Sequence, residues 1–221
     1  MNILAIDTSS VYVSCALMVE GEIVSERIQK NGLVHSKSLM PLVESCLDGH
    51  DISEIDLFAC VAGPGSFTGV RIGVCAIKGL AQATGKMCVA VNTLDCLKEN
   101  VPFAQFVCPI MDARRGQVYC AVYENGNIIK PCDACSVDEL ADFLKNKKTV
   151  FVGDGISTYK EKLISILGEN ALFAPSNHEY TRASAACVCA LKQAPVTPEA
   201  LDAIYLRKPQ AEREYDAKHN N

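Results

Sequence analysis

The chain has 221 residues, 49% of them hydrophobic and 21% charged, with a formal net charge of −5. Such a chain buries a sizeable core as one large domain or two small lobes, without disulfides or metals as staples. The acidic balance excludes a broad basic face for gripping nucleic-acid phosphates, so the chain alone is expected to bind nucleic acid poorly.

Residues 2–7 form a short apolar run that predicts a buried strand and breaks at Asp7, so no signal peptide is expected. No apolar run approaches the roughly 20 residues of a bilayer span, so a cytoplasmic protein is expected. Val11 to Val19 and Glu22 to Gln29 predict two more strands around a Glu20-Gly21 turn. A helix follows from Ser36, with Leu39, Leu42, Val43, Cys46 and Leu47 on one stripe. Ile55 to Ala62 reads as a buried strand running into Gly63-Pro64-Gly65-Ser66-Phe67-Thr68-Gly69. A helix from about Val70 to Thr84 comes next, with Gly85 as its C-cap. Met87 to Val91 is a strand, and Thr93 is placed as the cap of a short helix to Leu97.

A second lobe is expected to begin near residue 104. Phe106 to Met111 and Val118 to Glu124 predict strands, with a hairpin turn at Asn125-Gly126-Asn127. Ser136-Val137-Asp138-Glu139 is a capping box before a helix to about Lys145. Thr149 to Val152 is a strand ending at Gly153-Asp154-Gly155, and helices follow near Tyr159–Leu167 and Ala183–Lys192. The alternation predicts an α/β fold. The lobes are drawn as 1–103 and 104–199, with 200–221 returning to the first and its charged end partly disordered.

Twelve cysteines are many for this length. Cys15, Cys60, Cys75, Cys88, Cys120, Cys187 and Cys189 sit in apolar patterns, where Cys acts as a small buried hydrophobe, so reduced thiols are expected. His35, His50, His178 and His219 include no close pair, and Cys132-x-x-Cys135 has no second pair, so no metal site is expected.

The glycine loop has the strand-to-helix setting in which backbone N–H groups hold an anion. It has no Walker Lys, and Gly63, Gly65 and Gly69 are spaced one residue too long for a dinucleotide fingerprint. Two readings stand together: a phosphate site built from Asp7, Thr8, Ser9, Gly63, Gly65, Ser66, Thr68 and Gly69, or a tight turn packed on a neighbour. The helix after it carries Gly73, Ala76, Gly79, Ala81 and Ala83 among Ile72, Val74, Ile77 and Leu80, so it is core or interface. Leu39, Val43, Val70, Gly73, Ala76, Ile77 and Leu80 are the candidate partner surface. Arg114-Arg115 after a strand is a candidate contact with the other lobe or a partner.

Ile6-Asp7-Thr8-Ser9, the run Gly63 to Gly73, Met111-Asp112-Ala113-Arg114-Arg115-Gly116-Gln117-Val118-Tyr119 and Ala200 to Arg207 resemble the TsaB (YeaZ) family over nearly the whole chain. Gln117 replaces a usual Glu, and Ala203 a common Pro. The resemblance implies a two-lobed actin-like, sugar-kinase-like (ASKHA, ribonuclease H-like) fold. It implies a non-catalytic role in making threonylcarbamoyladenosine beside the anticodon of tRNAs that read codons starting with A. It also implies TsaD as catalytic partner, TsaE as accompanying ATPase, and tRNA contact only through the complex. Where TsaD has its two metal-binding histidines, this chain has Thr93 and Leu97. No cofactor of its own is implied, with ATP bound only weakly or within the complex, and the interface helices could also pair two copies. The alternatives are a small-molecule kinase or ATPase using Asp7 and the glycine loop, and a homodimeric binding module with no tRNA role.

Overall fold

Two five-stranded sheets organise the chain in the computed structural model, which describes residues 1–30 and 34–206. The first lobe runs β1 (Ile3–Asp7), β2 (Tyr12–Val19), β3 (Glu22–Lys30), α1 (His35–Leu47), β4 (Leu57–Gly63), α2 (Phe67–Thr84), β5 (Met87–Asn92) and α3 (Thr93–Lys98). The second repeats that order with β6 (Phe106–Asp112), β7 (Gln117–Glu124), β8 (Asn127–Ser136), α4 (Val137–Leu144), β9 (Thr149–Val152), α5 (Ile156–Leu167), β10 (Ala171–Phe173) and α6 (Ala183–Ala190). The spatial orders are β3-β2-β1-β4-β5 and, read from the matching edge, β8-β7-β6-β9-β10. In each sheet an antiparallel meander leads to two parallel crossovers.

β1 and β4 are buried along their whole length, as parallel strands covered on both faces must be. Leu4 and Ile6 point to the face packed by α1 and α2, while Ile3 and Ala5 point to the face packed by α6. Local signals fix several ends. Gly85 adopts the left-handed conformation at the end of α2, and its N–H reaches the Ala81 carbonyl. Ser136 and Glu139 close the expected capping box on α4. Thr93 is not the cap of α3; the Asn92 side chain takes that place, accepting from the Leu94 N–H at 2.8 Å.

Other expectations are corrected. β8, which follows the expected hairpin turn, and β10 are strands that the sequence reading did not assign. β8 is a sheet edge with half-exposed residues on both faces, so no clean apolar run marks it. α6, assigned from sequence to the second lobe, packs on the first sheet. Its small residues Ala183, Ala186, Cys187 and Ala190 let its backbone approach β1 and β2 closely. The Ala183 N–H donates to the Ser14 hydroxyl at 3.1 Å, and Val196 bridges to Cys88 in β5. The chain therefore re-enters the first lobe by residue 183, before the drawn boundary at 199. Residues 200–206 lie on that lobe through Leu201 and Ile204, whose N–H donates to the Ala62 carbonyl at 2.7 Å. The expected disorder of the tail, His219 and Arg207 fall outside the described residues. Cys75 is exposed, unlike the other six thiols read as buried.

In return, α3 turns Leu94 and Leu97 onto the second sheet, against Val107, Met111, Ala121 and Val152. Each lobe thus supplies a terminal helix that helps cover the other's sheet.

Candidate functional site

The ends of β1 and β4 bring the residues of the candidate phosphate site together. Asp7, Thr8 and Ser9 are buried, and the glycine loop folds directly onto them. The Ser66 N–H donates to the Ser9 carbonyl at 2.7 Å, and the Thr8 hydroxyl donates to the Gly69 carbonyl at 2.7 Å. A Cβ at Gly65 would stand 2.5 Å from the Ser9 carbonyl oxygen, and one at Gly73 would stand 2.6 Å from the Thr8 hydroxyl. Gly63 has φ of 119°, and a Cβ there would stand 2.5 Å from the Ile204 carbonyl oxygen. These glycines serve the closely packed turn, backbone against backbone. Ser66 caps α2 by accepting from the Gly69 N–H, while Thr68 is exposed on the first turn.

Asp7 is the electrostatic outlier. Burial pushes its carboxyl up to about 6, against the opposing effect of its contacts with Ser9. Its Oδ1 accepts from the Ser9 N–H at 2.7 Å, while Oδ2 meets no donor among the described residues. Thr93 and Leu97 are both buried at the start and end of α3. No group of three or more His, Cys, Asp or Glu among the described residues is arranged to hold a metal ion. The cleft between the lobes narrows to a cavity of about 90 Å³ lined by Ser10, Tyr12, Leu97, Met111, Asp154 and Tyr180. Ordinary small-molecule sites run to roughly 300–1,000 Å³.

The interface candidates divide. Leu39, Val43, Val70 and Ile77 are at most 2% exposed, and Gly73 is buried with them, so these five belong to the lobe's own core. Reading them as partner surface is corrected: the stripe that marks a helix as amphipathic is the one it turns inward. Ala76 and Leu80 are only partly covered, beside Ile72, exposed Cys75 and exposed Gly79. At the head of this outer face the Arg71 guanidinium lies 3.8 Å from the Phe67 ring centroid and donates from Nε to the Tyr205 hydroxyl at 2.8 Å. Sequence reading missed that cluster, though an Arg one turn after Phe67 in a helix rich in small and apolar residues was its signal.

Arg114 and Arg115 form the tip of the β6–β7 hairpin, at φ of 65° and 55°. The Arg114 N–H donates to the Asp112 carboxylate at 2.8 Å, and its guanidinium lies 3.6 Å from the same carboxylate. With its side chain 86% exposed, that pair is local to one hairpin.

Two solved structures from Pseudomonas aeruginosa align over 93% of this chain and 99% of theirs. One is described as an uncharacterized protein with similarity to peptidase YEAZ, at TM-score 0.80 and 27% identity, and the other as YeaZ, at 0.76 and 26%. The ethanolamine utilization protein EutJ of Carboxydothermus hydrogenoformans shares the fold alone, at TM-score 0.50 and 12% identity over 86% of this chain and 90% of that chain. The repeated halves give the chain the actin-like, sugar-kinase-like fold of two lobes. The tRNA threonylcarbamoyladenosine biosynthesis protein TsaB of Bacillus subtilis is 34% identical over 225 residues, 97% of this chain and 98% of that protein. The chain belongs to the TsaB family, and its role lies in tRNA threonylcarbamoyladenosine biosynthesis. TsaB of Escherichia coli is 37% identical over 134 residues, 57% of this chain and 58% of that protein. A family model described as TsaD, tRNA N6-adenosine threonylcarbamoyltransferase, matches residues 22–194.

Proposed function

We propose that the chain is a non-catalytic subunit that binds and activates the catalytic TsaD, together with TsaE, in the cytoplasm. The observation that carries this reading is the outer face of α2, where Cys75 and Gly79 are exposed and Ile72, Ala76 and Leu80 are only partly covered. Such a face lets another helix approach closely, and it can pair two copies when TsaD is absent. Thr93 and Leu97 cannot replace imidazole ligands, which supports a non-catalytic role. The direct packing of the glycine loop on Ser9 and Thr8 supports a chain without a cofactor of its own, with ATP held weakly or only within the complex. The net charge of −5 supports tRNA contact through the complex. No helix among the described residues is long and apolar enough to cross a membrane.

The experiment is tRNA modification by TsaD and TsaE with this chain or its Cys75→Arg variant. Cys75 is exposed, so the variant is expected to keep the wild-type melt while losing both co-elution with TsaD and activation. A folded variant that still pairs and activates moves the interface elsewhere. Steady ATP turnover by the isolated chain would favour the kinase or ATPase reading instead.

A further inference from the structure

The second lobe holds two thiols in an arrangement that the tRNA role does not use. Cys120 in β7 pairs with Asp133, and Cys135 in β8 pairs with Val118, so the cysteines are diagonal neighbours on one face of the hairpin. That face packs beneath α4 and α5, with Val118, Val122, Leu140 and Leu163 around the sulfurs' cluster. The two Sγ atoms are 3.3 Å apart. A disulfide needs about 2.04 Å, so closing the gap takes a small rotation about the Cα–Cβ bonds or a small strand shift. β8 is placed to give, because it is the edge of the sheet and its register slips just beyond Cys120.

The two thiols are not equivalent. Cys120 is 0% exposed and Cys135 is 7% exposed, at the end of the edge strand. The Cys120 thiol beside it holds the Cys135 thiol below its ordinary value, while the same contact and burial push Cys120 up. Cys135 is therefore the more accessible of the two and the one placed to meet a small oxidant first. Another thiol pair, Cys15 and Cys46, lies between β2 and α1. There the Cys15 contact and smaller effects lower Cys46 to about 7, but both residues are 0% exposed.

We propose that Cys120 and Cys135 form a reversible thiol–disulfide site, oxidised by peroxide, that staples the edge strand β8 to β7. The Cys135 thiolate attacks one peroxide oxygen, forming an S–O bond as the O–O bond breaks and hydroxide leaves. Cys120 then attacks the Cys135 sulfur, the S–S bond forms, and the S–O bond breaks with loss of a second hydroxide. With the two thiol protons, the hydroxides become two waters; the thiols lose two electrons and the peroxide gains them. A dithiol reductant reverses the step by exchange.

The test treats the folded full-length protein with graded hydrogen peroxide, blocks remaining thiols with N-ethylmaleimide, and maps non-reduced peptides. The expected first product joins the Cys120 and Cys135 peptides, with two of the twelve thiols lost, a mass lower by two hydrogens, and full recovery in dithiothreitol. Cys75→Ser should leave this product unchanged, and Cys135→Ser should abolish it. Sulfinic acid at Cys135 without a crosslink, a first crosslink between Cys15 and Cys46, or one between copies through Cys75 would each overturn the proposal. The wild-type map decides the question whether or not Cys135→Ser folds.

Discussion

The two lobes are built from one element order, yet they use it differently. In the first, the turn from β4 into α2 is Gly63-Pro64-Gly65, packed on the end of β1. In the second, the turn from β9 into α5 is Gly153-Asp154-Gly155, packed on β6 through a hydrogen bond from the Gly155 N–H to the Ile110 carbonyl at 3.1 Å. Gly63 and Gly153 both have positive φ, 119° and 110°. The same glycine device thus recurs at equivalent places, one inside a run that resembles a phosphate loop and one in a short turn. The comparison teaches that these glycines answer first to the fold: a helix must leave the fourth strand and dock at once on the first. What distinguishes the first lobe is the buried acid beside its turn and the uncovered outer face of α2.

The largest expected effect contrasts the two turns. A Cβ at Gly65 would stand 2.5 Å from a backbone oxygen, while one at Gly155 would stand 3.1 Å from its nearest atoms. Gly65→Ala should cost about 3 kcal/mol or more and Gly155→Ala about 1 kcal/mol, measured by urea unfolding. Equal costs would break the ranking and leave Gly65 with another task. A large side chain at Gly73 belongs with Gly65, because it would strike Thr8 and unsettle the core before it reached any partner.

Next comes the acid of the first lobe. Asp7 is raised from 3.8 to about 6 by burial. The native state therefore holds a proton that the unfolded chain has released between those two values. The contribution of Asp7 to stability should fall as pH rises from about 4 to about 6 and stay level above, a loss of about 3 kcal/mol at most. Asp7→Asn should remove that slope, read from urea midpoints at pH 4.5 and 7. An unchanged slope would assign the titration to another group.

The smallest effect belongs to the second lobe's hairpin. Arg114→Gln with Arg115→Gln should shift stability by under about 1 kcal/mol, since the Arg114 side chain of the pair with Asp112 is 86% exposed. A larger loss would show that the tip helps hold the lobes; loss of tRNA modification with an unchanged melt would make it a partner contact.

Much of this fold was legible in the sequence, because its signals are local and physical. Buried β1 and β4 read as apolar runs, the Ser136–Glu139 box read as a cap, and Gly85 read as a helix end. The edge strand β8 was not legible, since Pro131, Asp133 and three lysine- or cysteine-bearing positions give it no clean alternation. The inward and outward faces of α2 were not separable either. A helix rich in Gly and Ala carries too little contrast to say which small residues meet Thr8 and which meet solvent. The site fared similarly: the motif residues converge, but their pattern did not say that the loop backbone packs directly on Ser9 and Thr8.

The exchange of terminal helices has a consequence for how the chain can be divided. α3 closes the first half in sequence but buries Leu94 and Leu97 against the second sheet, and α6 closes the second half but lies on β1 and β2. A scissile point between Lys98 and Phe106 would therefore sever the polypeptide without separating its hydrophobic cores. Each fragment would carry a lid belonging to the other, like two hands clasped with thumbs crossed. The halves are alike in strand order, yet each leaves part of its sheet to be covered by a helix from the other half.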